Sequence, residues 1–342
     1  MANARRLYSL GDGLYHVIVR TVAGLPILDE QEKKILYSMI IRMAEFGGIR
    51  IITYCILDNH LHLIVRVPLR EVVSDDEFER RVCWLYGNKK AQILFESWKM
   101  LEEKGQHRRV REEKEKLIRR MYNLSDFVKS WKEDFTQSYN RRHDQDNQFQ
   151  NGKNPKKRRI GTVWAGRFKS ILLNGKPNLT LIVALYVDLN PVRAHIHGVE
   201  RDAGNYAWSG IGSALNGGKR AMEGILELAR WAGFAKDTCT AERAVELYHA
   251  ILLGKAGGKI KNLLDSPFEI RQGDRRFDKS LRGQTLTLFE LLFCKCRCFE
   301  NGRALSEKVS DLKGFSGSCP RASILPGYYS ANGLREIVVM PC

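Results

Sequence analysis

Tyr54-Cys55-Ile56-Leu57-Asp58-Asn59-His60-Leu61-His62-Leu63-Ile64-Val65 places two apolar, β-branched runs on either side of one polar pair, Asp58-Asn59. The pattern predicts two antiparallel strands, Ile49 to Leu57 and His60 to Val67, joined by a tight hairpin whose Asp and Asn tolerate positive φ. Side chains alternate along a strand. His60 and His62 therefore share one sheet face, about 6 to 7 Å apart at Cα, while Leu61 and Leu63 pack the other. Two imidazoles so spaced suit one divalent ion, although a hydrogen-bonded pair in a core has the same spacing.

Upstream of this hairpin, Leu14 to Arg20 alternates as a strand does, and Asp29 to Phe46 has helical spacing behind an acidic start. Downstream, Ser74 to Asn123 is heavily charged, with Ser74, Asp75 and Asp76 placed as a cap, and predicts a helical insertion. Leu124 to Tyr139 is amphipathic, and its Phe127, Trp131 and Phe135 recur every four residues as a core-facing stripe. Arg141 to Ile160 is polar and ends in Lys156-Lys157-Arg158-Arg159, which predicts a mobile basic loop that either touches phosphates or is simply solvated. Gly161 to Leu173 reads as a strand. Asn178 to Asn190 reads as a helix that begins behind Pro177 and is stopped by Pro191.

The resulting order is strand, helix, strand, strand, helix, strand, helix. It fits an α+β fold: a ferredoxin-like antiparallel sheet with flanking helices, carrying the charged insertion at about 74–123. Beyond about Arg201 the sequence is punctuated by glycine, with helical patches such as Ala241 to Leu253, so residues 216–342 are expected to be a mostly helical C-terminal extension.

Composition narrows the partners. A chain of 342 residues with 44% apolar side chains can fill a real core. Eight scattered cysteines do not form the dense set of a disulfide scaffold, so a reducing, cytoplasmic setting with free thiols is expected. Met1 to Gly13 lacks the apolar core of a signal peptide, and Leu179 to Val187 is too short to span a bilayer, which argues against a membrane partner. The formal charge of +17 attracts polyanions, nucleic acid before others.

A second chemical element is Tyr186-Val187-Asp188-Leu189-Asn190-Pro191-Val192-Arg193-Ala194. Tyr186 and Asn190 are one helical turn apart on one face, so a phenol and an amide oxygen can meet the same site, and Pro191 leaves them near the helix end. A tyrosine packed on the sheet and an asparagine capping the helix would use the same residues.

Taken together, the hairpin from Tyr54 to Val65 resembles the His-hydrophobe-His strand of the HUH single-tyrosine transposases, and Tyr186 to Ala194 resembles the tyrosine helix of their REP-associated branch. Further similar stretches occur in the same order. They are Tyr15-His16-Val17-Ile18-Val19-Arg20, Phe135-Thr136-Gln137-Ser138-Tyr139-Asn140-Arg141-Arg142-His143, Trp164-Ala165-Gly166-Arg167-Phe168-Lys169-Ser170 and Tyr206-Ala207-Trp208-Ser209. The resemblance covers residues 8 to about 215. It implies a nucleoid-associated enzyme that nicks and rejoins single-stranded DNA near hairpins or palindromic repeats, as monomer or homodimer. Tyr186 would then be the nucleophile, and His60 and His62 would hold Mg²⁺ or Mn²⁺ with Asn190 as a third ligand. Arg167, Lys169 and Arg193 would hold backbone phosphates and Trp164 would stack on an unpaired base, although the three cations equally suit a solvated surface and Trp164 a place in the core.

The residue chemistry agrees with that implication. A phenol ordinarily ionises near pH 10, so a divalent ion must polarise the phosphate, and attack conserves the bond as a tyrosyl-DNA link without nucleotide hydrolysis. The chain has no Walker-type phosphate loop. Two departures from the family stand out: the long stretch Asp144 to Arg159, and a C-terminal third with little likeness. There Cys294-x-Cys296-x-Cys298 lacks the paired spacing of a structural zinc site. A domesticated hairpin-binding protein without turnover is the alternative. An RNA regulator is a third possibility, but no stacked-aromatic motif supports it.

Overall fold

A computed structural model describes residues 12–150, 161–173 and 177–253, with four short strands at 267–269, 285–287, 322–325 and 338–341. The fold is α+β, and its centre is the four-stranded antiparallel sheet β2-β3-β1-β4 built from β1 (Gly13–Arg20), β2 (Arg50–Ile56), β3 (His60–Val67) and β4 (Lys169–Leu172). Helix α1 (Glu30–Gly47) links β1 to β2. It starts where the Asp29 carboxylate accepts the Glu32 amide at 2.8 Å and ends at Gly48, whose φ of 63° turns the chain out of the helix.

The β2–β3 hairpin has the expected two-residue loop, with the Leu57 amide bonded to the His60 carbonyl at 2.9 Å. Neither Asp58 nor Asn59 takes positive φ, contrary to expectation. Tertiary bonds shape this turn instead. Asp58 accepts Lys33 Nζ at 2.8 Å, and the Asn59 amide donates to the Gly24 carbonyl at 3.2 Å.

The charged insertion is three helices: α2 (Asp75–Tyr86), α3 (Asn88–Glu103) and α4 (His107–Arg120). Ser74 caps the first through the Glu77 amide. Helix α5 (Leu124–Gln150) packs on α1 and runs past Tyr139 into the stretch expected to be a loop. The extension is anchored by charge, since buried Glu32 on α1 accepts Arg142 at 2.5 Å and His143 at 3.2 Å. The basic run Lys156–Arg159 lies outside the described residues.

β4 is shorter than the predicted strand. The preceding segment is irregular, with φ of 118° at Gly161 and 136° at Gly166, conformations that interrupt pairing. The next helix, α6 (Pro177–Asp188), is followed after one residue by a single turn, α7 (Asn190–Arg193). Pro191 does not stop the chain's helical course as expected. It occupies the first turn of α7, where its missing N–H costs nothing, and Ala194 bonds back to Asn190 at 2.8 Å.

Helices α8 (Gly210–Leu215), α9 (Lys219–Trp231) and α10 (Ala241–Leu252) complete the main body. Gly224 lets the α9 backbone lie directly on the Ile51 and Ile52 carbonyls of β2, an approach that a Cβ would block. The packed core thus continues through α9 and α10, past residue 215. The chain beyond them forms two ribbons, β5 (Pro267–Glu269) with β6 (Thr285–Thr287) and β7 (Ala322–Leu325) with β8 (Val338–Pro341). The Cys294, Cys296 and Cys298 triplet lies outside the described residues.

The sheet is covered on both faces. Tyr15, Val17, Val19, Leu61, Leu63 and Val65 point to α1 and α5, against Leu36, Ile40, Phe127, Trp131 and Phe135. Leu14, Ile18 and Ile64 point the other way, toward Leu181, Ala184 and Leu185 of α6. Among the described residues Cys55, Cys83 and Cys239 are free thiols, and no helix is long and apolar enough to cross a membrane.

Candidate active site

Cross-strand pairing lays out the α6 face in rows, because residues paired across antiparallel strands point the same way. One row runs Ile171, His16, Ile64; the next runs Lys169, Ile18, His62, Cys55; the last pairs Arg20 with His60. Three imidazoles and two cations therefore collect at one end of this face, whose far end carries Arg50 and Arg66. Helix α6 lowers Tyr186 onto this end. The tyrosine ring centroid lies 5.7 Å from that of His62 and 6.2 Å from that of His16, both edge-on. From Thr180 to Val192, Tyr186 is the one residue not buried, so its ring touches the histidines while remaining accessible.

The imidazole bonds fix proton positions. His60 Nδ1 lies 2.6 Å from Asn59 Oδ1, and the amide is oriented by its own donation to Gly24. An amide oxygen only accepts, so His60 carries its proton on Nδ1 and exposes Nε2 as a lone pair. His62 Nδ1 lies 2.8 Å from His16 Nε2, the two rings meeting end to end with centroids 5.1 Å and planes 22° apart. Burial pushes His16 down to about 3 and His60 down to about 4, with the Arg20 charge adding to the second. Burial also holds His62 well below the usual imidazole value, helped by His16, His60, Arg20 and Arg193. All three rings are neutral at pH 7 and thus retain the lone pairs a metal ion needs.

Two imidazoles bound to one ion at about 2.1 Å per nitrogen keep their centroids about 5 Å apart. Those of His60 and His62 are 5.2 Å apart. Among the described residues no three His, Cys, Asp or Glu side chains gather as a metal-binding set. The residues present therefore fit an ion held by two imidazoles, its shell completed by water or substrate oxygen. Mn²⁺ accepts such nitrogen donors more readily than Mg²⁺, which prefers oxygen ligands. Asn190 is buried, and its amide nitrogen donates to the Tyr186 and Val187 carbonyls at 2.9 and 3.3 Å. Only its oxygen remains to offer an ion.

Arg193 stacks its guanidinium over the Tyr186 ring at 4.6 Å, which steadies the ring and places a cation beside the phenol. Lys169 is exposed at the start of β4, in the His62 row, and Arg167 is exposed on the segment leading into β4. Trp164 contradicts its expected stacking role. It is 2% exposed, bonds the Lys132 carbonyl at 3.1 Å, and packs against Trp131 and Phe135, so no face is left for a base.

Asp188 anchors the tyrosine helix from behind. Fully buried, it accepts Thr53 and Tyr248 hydroxyls at 2.8 Å each and the Ile211 amide at 3.2 Å, tying α6 to β2, α8 and α10. Burial pushes its carboxyl up to about 6 against these donors. A separate groove of about 1270 Å³ is lined by paired charges, including Arg66, Arg81, Glu77 and Glu227, and contains neither Tyr186 nor any of the three histidines. His16 and Arg20, noted in the sequence only as part of the matched stretch Tyr15 to Arg20, join the site because the strand period puts both on the His60 face once β1 is registered against β3.

No protein-family model matches the chain, and no curated protein matches it. A solved structure described as a REP-associated tyrosine transposase bound to a REP hairpin is similar over 63% of this chain and 86% of that one. Sequence identity is 14% and the TM-score 0.37. A likeness that slight decides nothing about what this chain does.

Proposed function

We propose that this chain is a metal-dependent enzyme of single-stranded DNA, acting in the cytoplasm, which nicks and rejoins strands near hairpins through a phosphotyrosine link. The observation that carries this reading is the partly exposed Tyr186 ring, 5.7 Å from His62, beside two neutral imidazoles whose centroids are 5.2 Å apart. A divalent ion held by His60 and His62 would polarise a phosphate oxygen and neutralise its charge. Tyr186 Oη then attacks phosphorus, forming a tyrosyl ester with the 5′ phosphate. The bond to the 3′ oxygen breaks; that oxygen leaves as a hydroxyl, taking up a proton as the phenol gives one to solvent. Arg193, stacked on Tyr186, and Arg20, paired with His60, would hold the flanking phosphates, and Lys169 in the His62 row would add charge beside them.

The test is incubation of the full chain with a single-stranded hairpin and Mn²⁺, followed by peptide mass spectrometry. The expected product is a 5′-linked adduct on Tyr186, absent in Tyr186→Phe, which keeps the ring and loses only the nucleophilic oxygen. Tyr139 and Tyr206 are poor alternatives, being 5% and 7% exposed, with the Tyr206 hydroxyl bonded to the Ile56 carbonyl at 2.7 Å. A 3′-linked adduct, an adduct on either of those tyrosines, or cleavage by Tyr186→Phe overturns the assignment.

The second reading, a hairpin-binding protein without turnover, draws on Asn190, whose amide nitrogen is committed to the helix, and on the lack of a third ionisable ligand among the described residues. It predicts hairpin binding that is indifferent to EDTA and yields no adduct under any ion.

A further inference from the structure

His16 is wholly buried in a row between Ile64 and Ile171, on a face covered by α6. An aliphatic side chain would fill that place without desolvating two ring nitrogens. Among the described residues the one side-chain hydrogen bond of His16 is to His62, at 2.8 Å, and its Nδ1 has no partner. A buried polar group left half satisfied calls for a reason, and packing supplies none.

We propose that His16 is a positioning residue that accepts the Nδ1 proton of His62, thereby fixing that ring's tautomer and plane and leaving Nε2 as the lone pair. The inference rests on the reading of His60 and His62 as ion ligands. Asn59 already does this for His60, with the proton direction set by an amide oxygen. Ligand histidines are commonly oriented by a second group at the other ring nitrogen, usually a carboxylate or a carbonyl. Here a second imidazole takes that place. A carboxylate would add negative charge under a covered face, whereas neutral His16 accepts the proton without it. The two ring planes lie only 22° apart, so the hydrogen bond meets the His16 lone pair nearly in plane.

The test compares full-length wild type with His16→Phe, which fills the space without an acceptor, and His16→Gln, whose amide oxygen restores one. Imidazole ¹⁵N NMR of the metal-free proteins, with His62 assigned through His62→Ala, reads the tautomer, and Mn²⁺ titration reads affinity. The wild type is expected to carry the His62 proton on Nδ1 and His16→Phe on Nε2. Mn²⁺ affinity falls about 10- to 100-fold in His16→Phe and largely returns in His16→Gln. An unchanged tautomer in His16→Phe, or undiminished Mn²⁺ affinity, overturns the proposal. If the wild type binds no Mn²⁺, the ion reading of His60 and His62 fails, yet the tautomer comparison still decides the role of His16. Should circular dichroism show His16→Phe unfolded, His16→Met takes its place under the same criteria.

Discussion

The two faces of one sheet are built from the same strands and carry opposite contents. Toward α1 and α5 the strands β1 and β3 present Tyr15, Val17, Val19, Leu61, Leu63 and Val65, all buried in a continuous apolar layer. Toward α6 the alternate residues are Leu14, His16, Ile18, His60, His62 and Ile64. The imidazoles thus cluster on one face, between Arg20 and Arg66 at its two ends, and the other face carries none. Both faces pack apolar layers, and the second also accepts desolvated imidazoles. Chemistry is the natural account of that asymmetry, since each buried neutral nitrogen would cost less as carbon.

The largest effect expected from this contrast is on the apolar face. Phe135 is fully buried and packs on Trp164 and Tyr139, at centroid distances of 5.3 and 5.8 Å. Phe135→Ala should cost about 3 to 5 kcal/mol of unfolding free energy, read by urea denaturation. On the opposite face, Tyr186→Phe should cost less than about 1.5 kcal/mol, because volume is kept. Equal losses at the two sites would erase the distinction between a folding face and a chemical one.

A smaller but more specific effect belongs to the histidines. His60→Ala and His62→Ala should each lower Mn²⁺-dependent cleavage about a hundredfold or more, the scale of losing several kcal/mol of charge stabilisation. Hairpin binding should remain nearly intact, and EDTA should reproduce both variants. Cleavage that survives chelation and either substitution would make the imidazole cluster structural after all.

How far the sequence announced this arrangement depends on the range of the contact. The hairpin at Asp58-Asn59, the cap at Ser74 and the period-two pair His60/His62 are local patterns, and each is seen in the structure. The Tyr186 helix was legible because proline and apolar spacing are local too. The misplaced features depend on distant partners. Trp164 suited stacking and core alike until Trp131 and Phe135 of α5 were beside it, and α5 runs beyond Tyr139, where Glu32, about 110 residues away, holds Arg142 and His143. His16 was invisible as a site residue for the same reason, its partner His62 being 46 residues downstream.

The finest contrast between the faces is in their response to acid. In metal-free protein, His16 at about 3 and His60 at about 4 both titrate below the ordinary imidazole value of 6.5, and His62 is depressed in the same direction. A depressed histidine binds fewer protons when folded, so its contribution is fully present above pH 6.5 and is lost as pH falls toward the folded value. Each such group adds at most about 1.4 kcal/mol per pH unit. Asp188 works in the other sense. Its carboxyl is raised from 3.8 to about 6, so its contribution is present below the unfolded value and lost as pH rises through 6, which offsets about one histidine over that range. Unfolding free energy measured in EDTA should therefore fall from pH 6.5 to 5 with a slope of at most about 2 to 3 kcal/mol per unit. Removing one titrating ring in His16→Phe should flatten that slope by up to about 1.4 kcal/mol per unit, while Asp188→Asn should steepen it. A substitution on the apolar face, Phe135→Leu, should move the whole curve down and leave its slope unchanged. If His16→Phe instead shifts the curve in parallel, the imidazoles are not the acid-sensitive element, and the two faces differ in composition without differing in response.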